Sequence, residues 1–244
     1  MSESFTVAAQ FRGPPGSGNG GYVAGRAALL LGDGPGDTAA EVTLRRPMPL
    51  DTALTVRRDA QGAAVLDAEG NVVVEAKPAT LELDVPPAPT LAEAEAAARW
   101  FLASGLSHST GLCFCCGDNQ PQGYGLRVFT GKVDGRPGLA AGLWRPDAAF
   151  AVGGRVAPEH LWAALDCAGQ FAFAVETPPS RSLLARMTGR LLGEVEPGEA
   201  CIVLGWQIAR EDRKLHAGTA ILGADGGVRG LARALWVMPR PVAA

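Results

Sequence analysis

The chain has 244 residues, of which 47% are hydrophobic and 19% charged, so it can bury a core as one large domain or two small ones. Its formal net charge of −3 argues against a nucleic-acid or anionic-membrane partner, because both attract basic surfaces. The sequence has no apolar run of membrane-spanning length and no basic-then-apolar start, and its five cysteines favour a reducing compartment over a disulfide framework. These features predict a cytoplasmic globular protein.

The first half of the sequence begins with a glycine-rich segment that leads into a helix. Phe11 to Gly21 is rich in glycine and proline, as turns are, and the apolar stretch from Tyr22 to Leu31 predicts a short buried helix. Strand-like runs follow this helix. They cover Glu41 to Arg46, Ala53 to Arg58, Ala63 to Asp67, Val72 to Ala76 and Thr80 to Leu83.

A proline-rich break at residues 85–89 ends this half. Thr90 and Glu93 have the spacing of a capping box, which predicts a connector helix from Leu91 to about Leu102. Ser107 to Gly125 is then predicted as a loop, and Leu126 to Phe129 as the strand that opens the second half.

The second half repeats the order of the first. A glycine-containing segment leads into an apolar helix, Val156 to Ala174, and strand-like runs follow it. Turn signals at Ala68 to Asn71 and at Ala224 to Gly227 occupy corresponding places between two strands. The pattern predicts an α+β fold of two similar units, although any α+β chain can be divided into loosely similar halves. The second-half strands are predicted at Leu183 to Leu191, Ala200 to Ala209, Lys214 to Leu222 and Val228 to Met238.

Three segments carry a family resemblance. Gly18 to Gly25 is similar to the His-Gly-Gly entry of the hotdog helix, with Asn19 in place of the histidine. Cys113 to Arg127 resembles the Cys-Phe-x-Cys-Gly…Gly-Leu-Arg lead-in of several thioesterase-like sequences. Pro158 to Cys167 is similar to hotdog helices in which an aspartate follows a small apolar run. Together they resemble a double-hotdog protein of the acyl-CoA thioesterase superfamily.

The resemblance implies a fold and a chemistry. The fold is two tandem hotdog folds, each a curved antiparallel sheet wrapped around a central helix, that form a pseudo-dimer. The N-terminal hotdog would span residues 1–86, a helical linker 87–106 and the C-terminal hotdog 107–244. The implied activity is hydrolysis of an acyl-CoA or related thioester, which needs hydrogen-bond donors for the carbonyl oxygen and a base or nucleophile at the carbonyl carbon. In hotdog thioesterases the donors are backbone N–H groups at a helix N-terminus, and the carboxylate lies about two turns down a helix.

The two halves are complementary in these groups. Asp166 is preceded eight residues earlier by Pro158, which has no N–H to donate. The entry Asn19-Gly20-Gly21 is rich in N–H groups. The positions eight residues beyond its glycines are Ala28 and Leu29, so the first half has no carboxylate at the position that corresponds to Asp166. We therefore expect Asp166 to face the glycine entry across the pseudo-dimer interface and to form one composite site per chain.

Each group in this composite site has a predicted role. Asp166 would act as general base on water or attack directly, and Asn19 would orient the carbonyl or the water. Some double-hotdog thioesterases place a hydroxyl and an amide beside the aspartate, which makes Thr188 and Gln170 candidates. The predicted substrate contacts are the backbone N–H groups of Gly20, Gly21 and Tyr22, and Trp162 as part of the core or an acyl pocket.

Other interpretations remain open. Asp166 could be a structural acid that backbone groups or Arg190 satisfy, and the Asn19 segment could be only a turn and helix cap. The chain could then be a non-catalytic module that binds acyl groups. A hotdog enoyl-CoA hydratase ranks lower, because that chemistry needs a histidine close to the acid and none follows Asp166 before His216.

The cysteines raise the question of zinc. Cys113, Cys115 and Cys116 lie near His108, but a four-ligand structural site normally has two ligand pairs, and neither Cys167 nor Cys201 has a second pair nearby in sequence. The sequence therefore predicts no metal, no cofactor and a packed cysteine loop. His160 and His216 are predicted at the surface or at a helix end. The predicted partner is a small-molecule acyl thioester, with neither nucleic acid nor membrane, and the chain is either a monomeric pseudo-dimer or a homodimer.

Overall fold

The computed structural model describes residues 3–32, 38–106, 111–176 and 182–240, and the candidate ligand His108 lies outside them. In these ranges the α-helices are α1 (Gly20–Ala28), α2 (Leu91–Ala103), α3 (Pro158–Ala164) and α4 (Cys167–Ala174). The strands are β1 (Ser4–Phe5), β2 (Ala39–Leu44), β3 (Leu54–Asp59), β4 (Gly62–Leu66), β5 (Val72–Ala79), β6 (Gly131–Lys132), β7 (Leu139–Trp144), β8 (Ala151–Val152), β9 (Arg155–Val156), β10 (Leu183–Leu191), β11 (Cys201–Glu211), β12 (Lys214–Leu222) and β13 (Val228–Val237).

Eleven strands form one antiparallel sheet in the order β1-β3-β4-β5-β2-β10-β13-β12-β11-β7-β6. Strands β8 and β9 form a separate pair. The seam between the two halves of the chain is the pairing of β2 with β10, in which Thr43 lies opposite Arg186 and Ala40 opposite Gly189. The first-half and second-half strands therefore share a continuous backbone hydrogen-bond ladder.

Helices α1, α3 and α4 pack on one face of this sheet. Helix α1 contacts β2 and β5, whereas α4 contacts β11 and β12. Helices α1 and α3 approach very closely, because a Cβ atom at Gly25 would lie 2.7 Å from the Trp162 Cβ and 2.8 Å from the Glu159 Cα. A glycine is needed where two helix backbones come this near. The contact brings the beginning of α1 beside the end of α3.

The other face of the C-terminal strands carries a second apolar layer. Along β11, Cys201 and Val203 belong to the core under the helices, and Ile202 and Leu204 belong to this second layer, as the alternation of a strand requires. Helix α2 and the apolar side chains of the linker before it cover the layer. The capping box of Thr90 and Glu93 is confirmed.

The predicted secondary structure agrees with the structure in most places. Both hairpin turns lie where they were predicted, between β4 and β5 and between β12 and β13. The predicted strand at Thr80 to Leu83 is wrong, because residues 80–90 are an extended linker on the second apolar layer. Leu126 to Phe129 is not a strand either, and β7 was missed.

The apolar helix predicted from Val156 to Ala174 is two helices. Helix α3 ends at Ala164 and α4 begins at Cys167, with Leu165 and Asp166 between them. The break occurs at the residue whose side chain bonds to another helix, as described below.

Candidate active site

Asp166 lies at the break between α3 and α4 and is 2% exposed. Its Oδ2 accepts a hydrogen bond from the Gly21 backbone N–H at 2.8 Å and another from the Asn19 side-chain amide at 2.9 Å. Both donors belong to the N-terminus of α1. Gly21 and Asp166 are 145 residues apart in the sequence. The structure thus places the acid of the second half against the glycine entry of the first half.

Asn19 holds this contact in a fixed geometry. It is the N-cap of α1, where its Oδ1 accepts from the Tyr22 backbone N–H at 2.9 Å. Its Nδ2 donates to Asp166 and lies 3.7 Å from the Cys113 sulfur, and its own backbone N–H donates to the Phe11 carbonyl. Because both ends of the amide are engaged, the side chain has one orientation.

The second oxygen of Asp166 has a different environment. The Oδ1 atom is buried and accepts no hydrogen bond within the described part of the chain. Burial, with a smaller contribution from the nearby Cys113, raises the pKa of Asp166 to about 7 against the opposing hydrogen bonds from Gly21 and Asn19. One oxygen is therefore held by two donors, while the other is buried without a hydrogen-bond partner in the described residues. A carboxyl group with a raised pKa and one uncommitted oxygen is typical of a general base.

The backbone donors at the N-terminus of α1 are already in use. The N–H of Gly21 bonds to Asp166 and the N–H of Tyr22 bonds to Asn19. The prediction that these two groups hold a substrate carbonyl is therefore wrong for this arrangement, because the positive end of the helix holds the protein's own carboxylate. The Gly20 N–H is the donor of this turn that neither Asp166 nor Asn19 uses.

Thr188 and Gln170 do not join the site. Thr188 pairs with Glu41 and Arg233 in the sheet. A Cβ atom at its neighbour Gly189 would lie 2.7 Å from the Trp162 ring, so Gly189 faces the helices and Thr188 faces the opposite side. Gln170 lies in α4, and the Asp166 hydrogen bonds go to Asn19 and Gly21 instead. Both predicted contacts with the carboxylate are wrong.

Trp162 separates the composite site from a cavity. Its ring packs under β10, and it lines a cavity of about 290 Å³ at the C-terminal end of α1. The other walls are mainly small and apolar, with Arg190 at one side. A second cavity, of about 550 Å³, lies beside Trp206 and Arg210 on β11. Asp166 lines neither cavity.

An aromatic cluster surrounds the first turn of α1. Tyr22 stacks on Phe11 with ring centroids 4.0 Å apart, and both rings lie near Phe114 and His160. The His160 Nδ1 is 3.1 Å from the Phe150 carbonyl oxygen, and burial lowers the pKa of this histidine. His160 lies at a helix end, which is one of the two predicted alternatives, but it is buried because the first turn of α3 packs against this cluster.

A cluster of sulfur atoms that the sequence pattern did not predict lies beside Asp166. The sulfurs of Cys113, Cys116 and Cys167 all lie within 4.8 Å of one another, and Cys113 and Cys167 are 3.9 Å apart. The expectation that Cys167 has no partner pair is wrong, because the Cys113 to Arg127 loop folds back onto the beginning of α4. The available signal was that Cys167 directly follows the acid predicted to face this region.

Comparison with known structures identifies the fold. A tesB protein of Mycobacterium avium subsp. paratuberculosis is 12% identical, with 97% of this chain and 92% of that chain covered and a TM-score of 0.65. A provisionally assigned thioesterase II of Thermobifida fusca is 15% identical over 97% and 92%, with a TM-score of 0.63. A protein of unknown function with the hotdog fold from Alicyclobacillus acidocaldarius is 13% identical over 98% and 93%, with a TM-score of 0.55. At these identities the likeness establishes the fold alone, and this chain has a hotdog fold.

Sequence comparisons give no further assignment. No protein-family model matches the chain, and no curated protein matches it significantly. In the part of the chain that the structure describes, no helix is long and apolar enough to cross a bilayer.

Proposed function

We propose that this hotdog protein is a thioesterase-like hydrolase of an acyl-CoA or related thioester, with Asp166 as its general base or nucleophile. The observation that carries the proposal is the asymmetry of the carboxylate. Its Oδ2 is fixed by Gly21 and Asn19, and its Oδ1 accepts no hydrogen bond within the described residues. A carboxylate held in this way has a proton-accepting atom ready in a known direction.

The proposed architecture is a pseudo-dimer of two hotdog units, residues 1–86 and 107–244, joined by the linker 87–106. The β2–β10 seam and the packing of α1 on α3 support it, since two similar subunits would meet through a sheet edge and a helix. Pro158 is the first residue of α3 and cannot donate an N–H. The N-terminus of α3 therefore lacks a backbone donor of the kind that the N-terminus of α1 has. One composite site per chain follows.

In the proposed reaction Asp166 removes a proton from water, and the resulting hydroxide attacks the thioester carbonyl carbon. The C–S bond of the tetrahedral intermediate then breaks, and the thiolate leaves with the proton that Asp166 took up. The alternative is direct attack by the Asp166 Oδ1, which expels the thiolate and forms an anhydride that water then hydrolyses to the carboxylic acid and the free Asp166 side chain. Negative charge develops on the carbonyl oxygen in either case. The Gly20 N–H and the positive end of α1 are the groups proposed to stabilise it. Asn19 keeps the carboxylate in place.

A non-catalytic acyl-binding protein is the second candidate function. It is favoured by the 2% exposure of Asp166 and by the occupied N–H groups of Gly21 and Tyr22. In that case the carboxylate would join the two halves, and a ligand would bind without being hydrolysed.

A panel of short-, medium- and long-chain acyl-CoA esters distinguishes these functions. We expect the wild-type protein to release free thiol from at least one member of the panel, measured with a chromogenic thiol reagent. Calorimetric binding without thiol release would favour the acyl-binding protein. Loss of the enoyl absorbance of crotonyl-CoA would instead indicate a hydratase.

The cavity beside Trp162 gives a prediction about chain length. If this cavity holds the end of the acyl group, Ala40→Phe fills part of it, and kcat/KM for long acyl chains should fall about tenfold relative to short chains. The matched control is Ala40→Ser, which changes the same wall without filling the space. An unchanged chain-length profile for Ala40→Phe would exclude this cavity as the acyl site.

A further inference from the structure

The sulfur cluster beside Asp166 brings together two distant parts of the chain. Cys113 and Cys116 belong to the loop before β6, whereas Cys167 is the first residue of α4. The exposures of these three residues are 4%, 1% and 5%. The cluster therefore lies in the interior, where thiols meet other thiols and water is excluded.

The loop has the backbone geometry of a tight turn. The Gly117 N–H donates to the Cys113 carbonyl at 2.8 Å. A Cβ atom at Gly117 would lie 2.5 Å from that carbonyl oxygen, so the turn requires a glycine at this position. The turn presents the sulfurs of Cys113 and Cys116 on the same side.

The chemistry of the cluster favours a bound cation. The sulfurs of three buried cysteines, from two distant parts of the chain, lie within 4.8 Å of one another, and cysteine sulfur is a preferred zinc ligand. The 3.9 Å between the Cys113 and Cys167 sulfurs matches the separation of about 3.8 Å for two thiolates bonded at about 2.3 Å to one tetrahedral zinc ion.

We propose that Cys113, Cys116 and Cys167 bind one zinc ion. Zinc replaces the thiol protons, which are released to solvent, and the ion bonds to the three sulfurs. The ion would fasten the cysteine loop to the beginning of α4, directly after Asp166. The proposal rests on the sulfur geometry and is independent of whether the chain hydrolyses thioesters.

Elemental analysis of the full chain tests the proposal without substrate. The protein is purified under reducing conditions from zinc-supplemented cells, and we expect about one zinc ion per chain. After removal of the metal by a chelator, Co²⁺ should produce a near-ultraviolet thiolate-to-cobalt charge-transfer band and the visible bands of a tetrahedral site. Metal-free protein that gives no such band, with its thiols shown to be reduced by titration, would overturn the proposal. A Cys113–Cys116 disulfide in place of metal would overturn it too.

Single substitutions locate the site. Cys116→Ser and Cys167→Ser should each lower the bound zinc at least tenfold under equal chelator competition, since each removes one thiolate. The matched control is Cys201→Ser, because Cys201 is equally buried but lies on β11, outside the cluster. Retention of zinc by Cys167→Ser, or its loss in Cys201→Ser, would contradict the three-sulfur assignment. If a cluster variant does not fold, the cobalt spectrum of the wild-type protein decides.

Discussion

Replacing Asp166 with asparagine should lower kcat for thioester hydrolysis by about 10²–10⁴-fold. The amide oxygen can still accept the hydrogen bonds that Gly21 and Asn19 donate to the carboxylate, so the geometry of the break between α3 and α4 is kept. The amide cannot remove a proton from water or form an acyl intermediate. Steady-state kinetics on the best substrate of the acyl-CoA panel measures the effect.

Two controls separate loss of chemistry from loss of structure. Glu159→Gln removes an acid from the first turn of α3 and should leave kcat unchanged, because Glu159 is not part of the proposed site. Urea denaturation of Asp166→Asn should show no loss of stability, since the substitution removes the cost of burying a carboxylate. Hydrolysis at the wild-type rate by Asp166→Asn would mean that the acid is structural and that the base lies elsewhere.

The strands of the second half show how much local pattern can predict. Strands β10 and β12 begin and end at the predicted residues, because long apolar or alternating runs between clear turn signals leave little choice. Strand β7 was missed since Leu139 to Trp144 is rich in alanine and glycine, which are poor strand formers. The break in the apolar helix was also missed, because it coincides with hydrogen bonds to Gly21 and Asn19 that no local pattern reveals.

The part of the candidate site that depends on complementary groups in the two halves of the chain could be predicted from the sequence. The part that depends on which side chains of β10 face the helices could not. The second half has an acid, Asp166, but no N–H donor at the start of its helix, and the first half has such donors but no acid at the matching position. This difference predicted that Asp166 pairs with the Asn19 entry. The wrong assignment of Thr188 came from the phase of β10, since an irregularity between Leu184 and Arg186 shifts which side chains face the helices. The proximity of Cys167 to Cys113 and Cys116 was missed because residues from separate elements come together only in the folded chain.

Replacing Gly21 with alanine should lower the free energy of unfolding by about 3 kcal/mol. In an isolated helix the same change would stabilise, by about 1 kcal/mol, so the sign of the effect reports on packing. A Cβ atom at this position would lie 2.5 Å from the Asp166 Cβ, 2.7 Å from the Trp162 carbonyl oxygen and 3.0 Å from the Ala163 Cα. These atoms are backbone atoms of α3 or, for the Asp166 Cβ, are attached directly to the backbone. They can move only if the backbone moves with them.

The matched variant is Gly20→Ala, one residue earlier on the same helix. Its added Cβ would meet the Leu184 side chain, at 2.9 Å from Cδ2 and 3.0 Å from Cβ. A rotamer change moves the Cδ2 away, so a small shift for the single Cβ contact remains, and the backbone of α3 is not involved. We therefore expect a smaller loss for Gly20→Ala, with both variants measured by urea denaturation. Because Gly21→Ala must push α1 away from Asp166, it should also lengthen the hydrogen bond that orients the carboxylate and reduce hydrolysis. Equal stability of Gly21→Ala and the wild type would mean that α1 and α3 are not in backbone contact, and the composite site would then lose its geometric basis.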